Sequence, residues 1–403
     1  MRIIGADMIR RVLKRGFQAI GVLLLLAVVI VLPQAWEGLG HRATGERRAR
    51  MEKSAQWHGS GFENPEPIIN HYEMISGLFN VSPDATPKTP VDVQQIDPAF
   101  ITTPPPTGLR ITWMGHSTTL IEIDGHRVLT DPVWSERVSP LTWVGPTRYY
   151  PPLIPLEKLG KLDAVIVSHD HYDHLDRPTI LALKDLTERF IVPLGVGAHL
   201  EYWGIPAEKI VEVDWWQRVP VGSMEIVSTP ARHASGRHVF DRDATLWSSY
   251  ALLGAQHRVY YSGDTGLFTA MQDIGEKLGP FDVTMIEVGQ YHRGWPDWHI
   301  GPEQALTAHQ MLRGKVFFPI HWGLLTLAYH AWTEPVERAL TAAKEQKATI
   351  VTPKPGQSVE PEVATEFAKW WPSLKFDDAT AHAIVSSGVV FRGGGGPSGA
   401  PSR

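Results

Sequence analysis

No cysteine occurs among the 403 residues. That excludes a disulfide framework, a thiolate metal site and a cysteine nucleophile, so any transition-metal site must use nitrogen and oxygen ligands. A basic surplus is missing too: 38 Lys and Arg face 43 Asp and Glu, a formal net charge of −5. Proteins that wrap nucleic-acid phosphates need a basic stripe, so nucleic acid is not expected as a partner and a polyanionic substrate is disfavoured. No internal repeat is visible. Histidine, at 18 copies, and tryptophan, at 15, are plentiful. The length and the 43% hydrophobic content suffice for one large α/β domain or two smaller ones.

One stretch lacks charge altogether. After Arg2, Arg10, Arg11, Lys14 and Arg15, opposed only by Asp7, the chain runs uncharged from Gly16 to Trp36. A membrane-spanning helix requires roughly 20 such residues. The basic flank orients its N-terminus to the cytoplasm and everything after Trp36 to the other, periplasmic side. A cleaved signal peptide is the alternative, although Pro33-Gln34-Ala35 lacks a small residue three before the cut.

Residues 1–36 therefore read as a basic N-terminus and membrane anchor. Residues 37–106, polar and broken by Gly and Pro, read as a connector draped on the domain that follows. Arg42, Arg47, Arg48, Arg50 and Lys53 within it could touch anionic headgroups or be an ordinary solvated patch. Residues 107–376 alternate short β-rich runs, among them 111–114, 119–123, 128–130 and 164–167, with helical stretches at 178–186, 302–312 and 334–345. That order indicates a layered α/β domain. Residues 377–403 form a tail, expected to be disordered from about 393, where Gly393 to Gly396 begin a Gly-rich end.

The chemistry concentrates in Ser168-His169-Asp170-His171-Tyr172-Asp173-His174, directly after the apolar strand 164–167. Open α/β sheets place ligand-binding loops at such strand ends. His169, His171, Asp173 and His174 are too closely spaced for one ion. In a loop, His169 and His171 can point one way and Asp173 and His174 another, serving two neighbouring ions. With thiolate absent, zinc prefers imidazole and carboxylate.

This run resembles the signature loop of the metallo-β-lactamase superfamily. Trp113-Met114-Gly115-His116-Ser117-Thr118, Leu129-Thr130-Asp131-Pro132 and Gly145-Pro146 are similar to its branch of N-acylphosphatidylethanolamine-hydrolysing phospholipase D enzymes and their bacterial relatives. The resemblance extends from about Asn64 to about Gly356 and implies a four-layer αββα fold. It also implies further ligands: His233 in Thr229-Pro230-Ala231-Arg232-His233, Asp264 in Ser262-Gly263-Asp264-Thr265-Gly266, and His321 in Pro319-Ile320-His321-Trp322-Gly323. One Zn2+ would be held by His169, His171 and His233 and a second by Asp173, His174 and His321, with Asp264 and a hydroxide between them. The hydroxide would attack, and Asp173 could take its proton. Asp131 would orient a ligand, its alternative being a turn aspartate before proline. His116 would lie near the site. His299, in Trp298-His299-Ile300-Gly301-Pro302, would face substrate or cap the following helix. Trp295, Trp298, Trp322, Trp215 and Trp216 read as lining an apolar groove, or as core.

Three functions compete on this reading. The first is a membrane-anchored, phospholipase D-like phosphodiesterase acting on a phospholipid or other small phosphodiester. The second is a lactonase or other carboxylic-ester hydrolase with the same metals. The third, from a different class, is a non-catalytic, membrane-tethered metal-binding module.

Overall fold

The computed structural model describes residues 3–389 apart from 72 and 364, so the glycine run at 393–396 lies outside the described residues. Helix α1 (Ile3–Leu39) takes in the whole uncharged stretch, and its apolar window Arg10–Pro33 is unburied. The following segment forms only small elements: α2 (Gly45–Met51), the hairpin β1 (Trp57–His58) and β2 (Gly61–Phe62), α3 (Glu73–Gly77) and α4 (Pro98–Thr102).

This segment is fastened along the domain by single bonds. Phe62 N donates to Asp243 O, Gln94 N to Pro355 O and Ile96 N to Leu153 O. Its basic patch is largely neutralised: Arg47 pairs with Glu201 and Glu212, Arg50 with Glu212, and Arg48 with Glu52. Arg47 and Arg50 dock the segment on the domain, while Arg48 pairs within it, so all three are drawn away from lipid headgroups.

Two seven-stranded sheets follow. The first contains β3 (Leu109–Trp113), β4 (Thr119–Ile123), β5 (His126–Thr130), β6 (Leu162–Ile166), β7 (Thr187–Pro193) and β8 (Ile210–Val213), with β16 (Ser358–Val359) at the edge beside β3. The second contains β9 (Arg218–Val221), β10 (Met224–Thr229), β11 (Ser249–Leu253), β12 (Arg258–Tyr261), β13 (Phe281–Glu287), β14 (Gly314–Ile320) and β15 (Thr349–Ile350), in that order across the sheet. In each sheet three antiparallel pairings are followed by three parallel ones.

Strand periodicity sets the layers. Val128, Ala164, Ile166 and Ile191 face a core shared with Ile226, Val259, Val283 and Phe317 of the second sheet. Their neighbours Leu129, Val165, Val167, Phe190 and Val192 face the opposite way, onto Ile180 and Leu183 of α5 (Arg177–Leu183) and Leu200 of α6 (Gly197–Tyr202). Parallel strands buried on both faces read as continuous apolar runs for this reason. Helices α7 (Ala270–Leu278), α8 (Pro302–Met311) and α9 (Glu334–Gln346) cover the outer face of the second sheet, completing helix, sheet, sheet, helix. The first part of the expected tail is packed: Ile384 and Ser386 are 2% and 5% exposed.

Candidate metal centre

The strand ends of both sheets converge on one cleft. After β6 the chain turns tightly, with His174 N and Leu175 N both donating to His171 O. That single turn lets four neighbouring side chains face two places. His169 Nε2 lies 2.8 Å from His171 Nδ1, which lies 3.3 Å from His233 Nε2 on the segment after β10. Beside this triad, His174 Nε2 lies 3.3 Å from Asp173 Oδ2 and 3.3 Å from Nε2 of His321, which follows β14. His321 Nε2 is 3.5 Å from Asp173 Oδ2.

Asp264, after β12, stands between the two groups. Its Oδ2 is 3.1 Å from both His174 and His321, and 3.9 and 3.8 Å from His169 and His233. Its Oδ1 is buried without a hydrogen-bond partner, which leaves a carboxylate oxygen desolvated and uncompensated. Donor atoms around a tetrahedral ion with bonds of about 2.0–2.1 Å sit about 3.3 Å apart. The second cluster has that spacing, the first spans 2.8 to 3.3 Å, and the orphaned Asp264 oxygen asks for a cation. The residues fit metal binding.

Burial holds His169 and His233 well below the ordinary histidine value, which keeps them neutral, the form that ligates. Burial alone would raise the Asp173 and Asp264 carboxyls. His174 and His116 beside the first, and His174 and His321 beside the second, hold both well below the usual range instead.

Supporting groups pin these rings. Asp131, after β5, accepts from His174 Nδ1 at 2.6 Å, Ser168 N at 2.7 Å and the Tyr261 hydroxyl at 2.5 Å. This side chain is tied to a site histidine, which a plain turn aspartate would not be. His116 Nε2 lies 2.9 Å from Asp173 Oδ2, and its ring packs 4.1 Å from that of His321. Burial, reinforced by His321, depresses His116 to about 3, so the neutral ring donates from Nε2 to the carboxylate. His116, Asp131 and His321 all have left-handed backbone, with φ of 53°, 32° and 65°. Such conformations are held only where surroundings over-determine them.

Sequence reasoning did not single out Glu287 or Asp297. Glu287, at the end of β13 and fully buried, accepts from His299 Nδ1 at 2.8 Å, lies 3.1 Å from His321 Nδ1, and bonds Thr265 N. A carboxylate closing the buried apolar pair Met285-Ile286 was the available signal. Asp297 pairs with Arg232 at 3.1 Å and accepts from Ile69 N, Ser387 N and Ser387 Oγ. It thereby fastens the loop carrying Trp298 and His299 to the connector at Ile69 and to the C-terminal segment at Ser387.

His299 does not cap a helix: the N-cap of α8 is Gly301. Its ring stacks on His321 at 5.1 Å and its side chain remains 16% exposed. The tryptophans divide. Trp298 lies edge-on to His233 at 5.7 Å and is partly open. Trp322, expected in a groove, is 1% exposed and stacks on Trp113 and Trp370, so it belongs to the core. Trp215, 8% exposed, is likewise packed, against the connector's Met51 and Phe62.

Comparison with known proteins finds a family domain and several relatives. A beta-lactamase superfamily domain matches residues 126–322. An uncharacterized protein of Mycobacterium tuberculosis is 49% identical over 267 residues, covering 65% of this chain and 72% of its own. A metal-dependent hydrolase of Methanopyrus kandleri is 31% identical over 219 residues, covering 53% of this chain and 84% of its own. The N-acyl-phosphatidylethanolamine-hydrolyzing phospholipase D 1 of Caenorhabditis elegans is 39% identical over 229 residues, covering 54% of this chain and 64% of its own.

Proposed function

This chain belongs to the β-lactamase superfamily of metal-dependent hydrolases, and from that premise we propose that it is a dizinc phosphodiesterase of phospholipase D type. Its substrates are N-acylphosphatidylethanolamine-like or related phospholipids. The observation that carries the two-metal reading is the position of Asp264 Oδ2, 3.1 Å from His174 and His321 and within 3.9 Å of His169 and His233. The phospholipid reading is supported by the similarity to the nematode phospholipase D and by the apolar α1.

His169, His171 and His233 would hold one ion, Asp173, His174 and His321 the other, with Asp264 facing both groups. Cations held there would supply Lewis-acid chemistry, lowering the pKa of a bound water and polarising a phosphoryl oxygen. Asp173, kept ionised by His174 and His116, is placed to accept a proton. His299, fixed by Glu287, orients the phosphate, while Trp298 offers the lipid an apolar face. Asp131 and Glu287 hold His174 and His321 in orientation.

Residues 107–376 form the catalytic domain, tethered by α1 on the non-cytoplasmic side because the basic residues precede the apolar run. Reporter fusions after Pro67 are expected to give an exported signal; a cytoplasmic one would reverse the orientation.

The deciding experiment assays detergent-solubilised protein of known metal content against phospholipids, short phosphodiesters and lactones. About two metal equivalents are expected, since one tetrahedral ion uses only about four ligands. Cleavage should leave the phosphate with the glycerol moiety and be faster on aggregated lipid. Rapid lactone opening with every phosphodiester intact would replace this reading by a carboxylic-ester hydrolase, and metal without hydrolysis would replace it by a binding module.

A further inference from the structure

The end of α1 is seated on the domain. Gly38 is buried: a Cβ there would fall 2.9 Å from the Pro140 backbone, and its carbonyl accepts from Arg237 Nε at 2.9 Å. The Glu37 carbonyl accepts from Trp203 Nε1 at 2.7 Å, and its carboxylate pairs with Arg177. The helix thus leaves the domain from a fixed point.

Two loops flank that point and turn apolar side chains outward. One carries Trp143 and Val144, 58% and 45% exposed; the other carries Val239 and Phe240, 84% and 82% exposed. Between them lies a cavity of about 480 Å³ whose lining includes Gly38, Pro140, Thr142, Tyr172 and Arg237. Tyr172 sits between His171 and Asp173, so one wall of this cavity is the histidine loop itself. The buried Arg237 joins the parts: it donates to Gly38 O, Asp170 O and Leu175 O, and lies 4.0 Å over the Tyr172 ring. The same loop continues to Arg242, whose guanidinium lies 5.7 Å over Trp298, the ring edge-on to His233.

Loop tips are ordinarily polar, because water is their surroundings. Here large apolar side chains occupy both tips, and the exposed apolar face of α1 ends between them. Trp36, 63% exposed, precedes Gly38 by one half-turn, roughly 3 Å along the axis. Tryptophan at the end of an apolar span marks the headgroup level of a bilayer, so loops beside Gly38 stand at that depth.

We propose that the tips Trp143–Val144 and Val239–Phe240 insert into the interfacial layer of the bilayer that holds α1, forming with its last turn a rim that keeps the histidine loop against the lipid surface. This rests on the reading of α1 as an anchor. The occupant is lipid, since the patch is continuous with the face of α1 that meets acyl chains. A lipid substrate reaches the site by lateral diffusion, without leaving the membrane.

The absence of cysteine makes the test clean, because any introduced thiol is the only one. Full-length Trp143→Cys, Val239→Cys and Phe240→Cys proteins, each carrying an environment-sensitive fluorophore, are reconstituted in phosphatidylcholine vesicles containing a shallow spin-labelled lipid. Leu25→Cys, read in vesicles carrying a deep spin-labelled lipid instead, reports α1, and Val363→Cys, at an exposed position of the domain, is the aqueous control. The tip labels should shift to the blue and lose about half their fluorescence to the quencher, as expected at interfacial depth, with almost no loss at position 363. Tip labels quenched as little as position 363, with position 25 quenched, overturn the rim and leave the anchor standing. Quenching at neither position 25 nor the tips overturns both. Quenching at the tips without position 25 rejects the anchor and, with it, the rim that includes the last turn of α1.

Discussion

The two sheets share a pairing pattern but supply the site in opposite ways. The first concentrates its donors in one loop, His169 to His174 after β6, braced by Asp131 after β5 and His116 after β3. The second distributes them over four strand ends: His233 after β10, Asp264 after β12, Glu287 closing β13 and His321 after β14. The first half is rich in imidazole, and the second brings the two buried carboxylates, Asp264 and Glu287, that meet those rings or fix His321. Neither half satisfies its own buried groups. Docking the sheets is therefore also the step that assembles the centre, and the site depends on the interface as much as on either strand set.

The sharpest way to break this comparison is Asp264→Ala. Asp264 alone faces both clusters, so activity should fall about 10³-fold, the scale of losing several kcal/mol of charge stabilisation. Bound metal should drop below two equivalents while the far-ultraviolet circular dichroism stays that of the parent, because the scaffold rests on the apolar core. Retained activity with full metal would show that the first half holds the centre without the second.

Smaller effects are expected from the two bracing carboxylates, Asp131→Asn in the first half and Glu287→Gln in the second. Partners of this type cost roughly 10–100-fold in metal affinity or activity when removed. Glu287→Gln should weaken metal retention at the His321 side and disturb His299 as well, while Asp131→Asn should act through His174. Metal titration by calorimetry checks this: both should weaken the same binding step, that of the ion assigned to Asp173, His174 and His321, and spare the other. Equal weakening of both steps by either variant would show that the halves act as one unit.

The same contrast explains what could be read in advance. The histidine loop is contiguous, and four candidate ligands in six residues after an apolar strand carry their meaning without coordinates. His233, Asp264 and His321 needed a family resemblance, since each is a lone polar residue after an apolar run. Glu287 had no motif, and only the pairing of β13 between β12 and β14 shows that it points to the site from a doubly buried strand. Trp322 misled because proximity to His321 along the chain is not proximity in the cleft; its indole donates to Pro319 O and stacks inward. Among the strands, β9 is an edge strand containing Pro220, a residue that argues against a strand when read alone. The six residues of α6 are too few to show a helical period. The layered fold was legible because continuous apolar runs such as Ala164 to Val167 interleave with helical stretches.

The smallest expected effect concerns how the two halves are tied at the end remote from the metal centre. Asp124, in the β4–β5 turn of the first sheet, accepts from Gln256 N at 2.7 Å, His257 N at 3.0 Å and His257 Nδ1 at 2.7 Å, all in the β11–β12 turn of the second. Burial would raise the Asp124 carboxyl, but these three donors bring it below its ordinary value; burial would lower His257, but Asp124 raises it. A depressed carboxyl contributes stability that is present above its unfolded pKa and lost as pH falls through the folded one. A raised histidine contributes stability that is full below its unfolded pKa and lost as pH rises through the folded one. The pair therefore contributes most between the ordinary values of the two groups, about 3.9 and 6.5. Asp124→Asn should cost about 1 kcal/mol near pH 6, the scale of a charge-assisted hydrogen bond reduced to a neutral one. The difference from the parent should shrink as pH rises well above the histidine range, where His257 is neutral in both proteins. Thermal unfolding of the solubilised chain at pH 6 and pH 9 measures it, with hydrolytic activity unchanged because the turn stands at the far end of β4 from His116. A loss equal at both pH values would mean that the turns are held by their backbone bonds alone, and that the centre itself is the principal tie between the sheets.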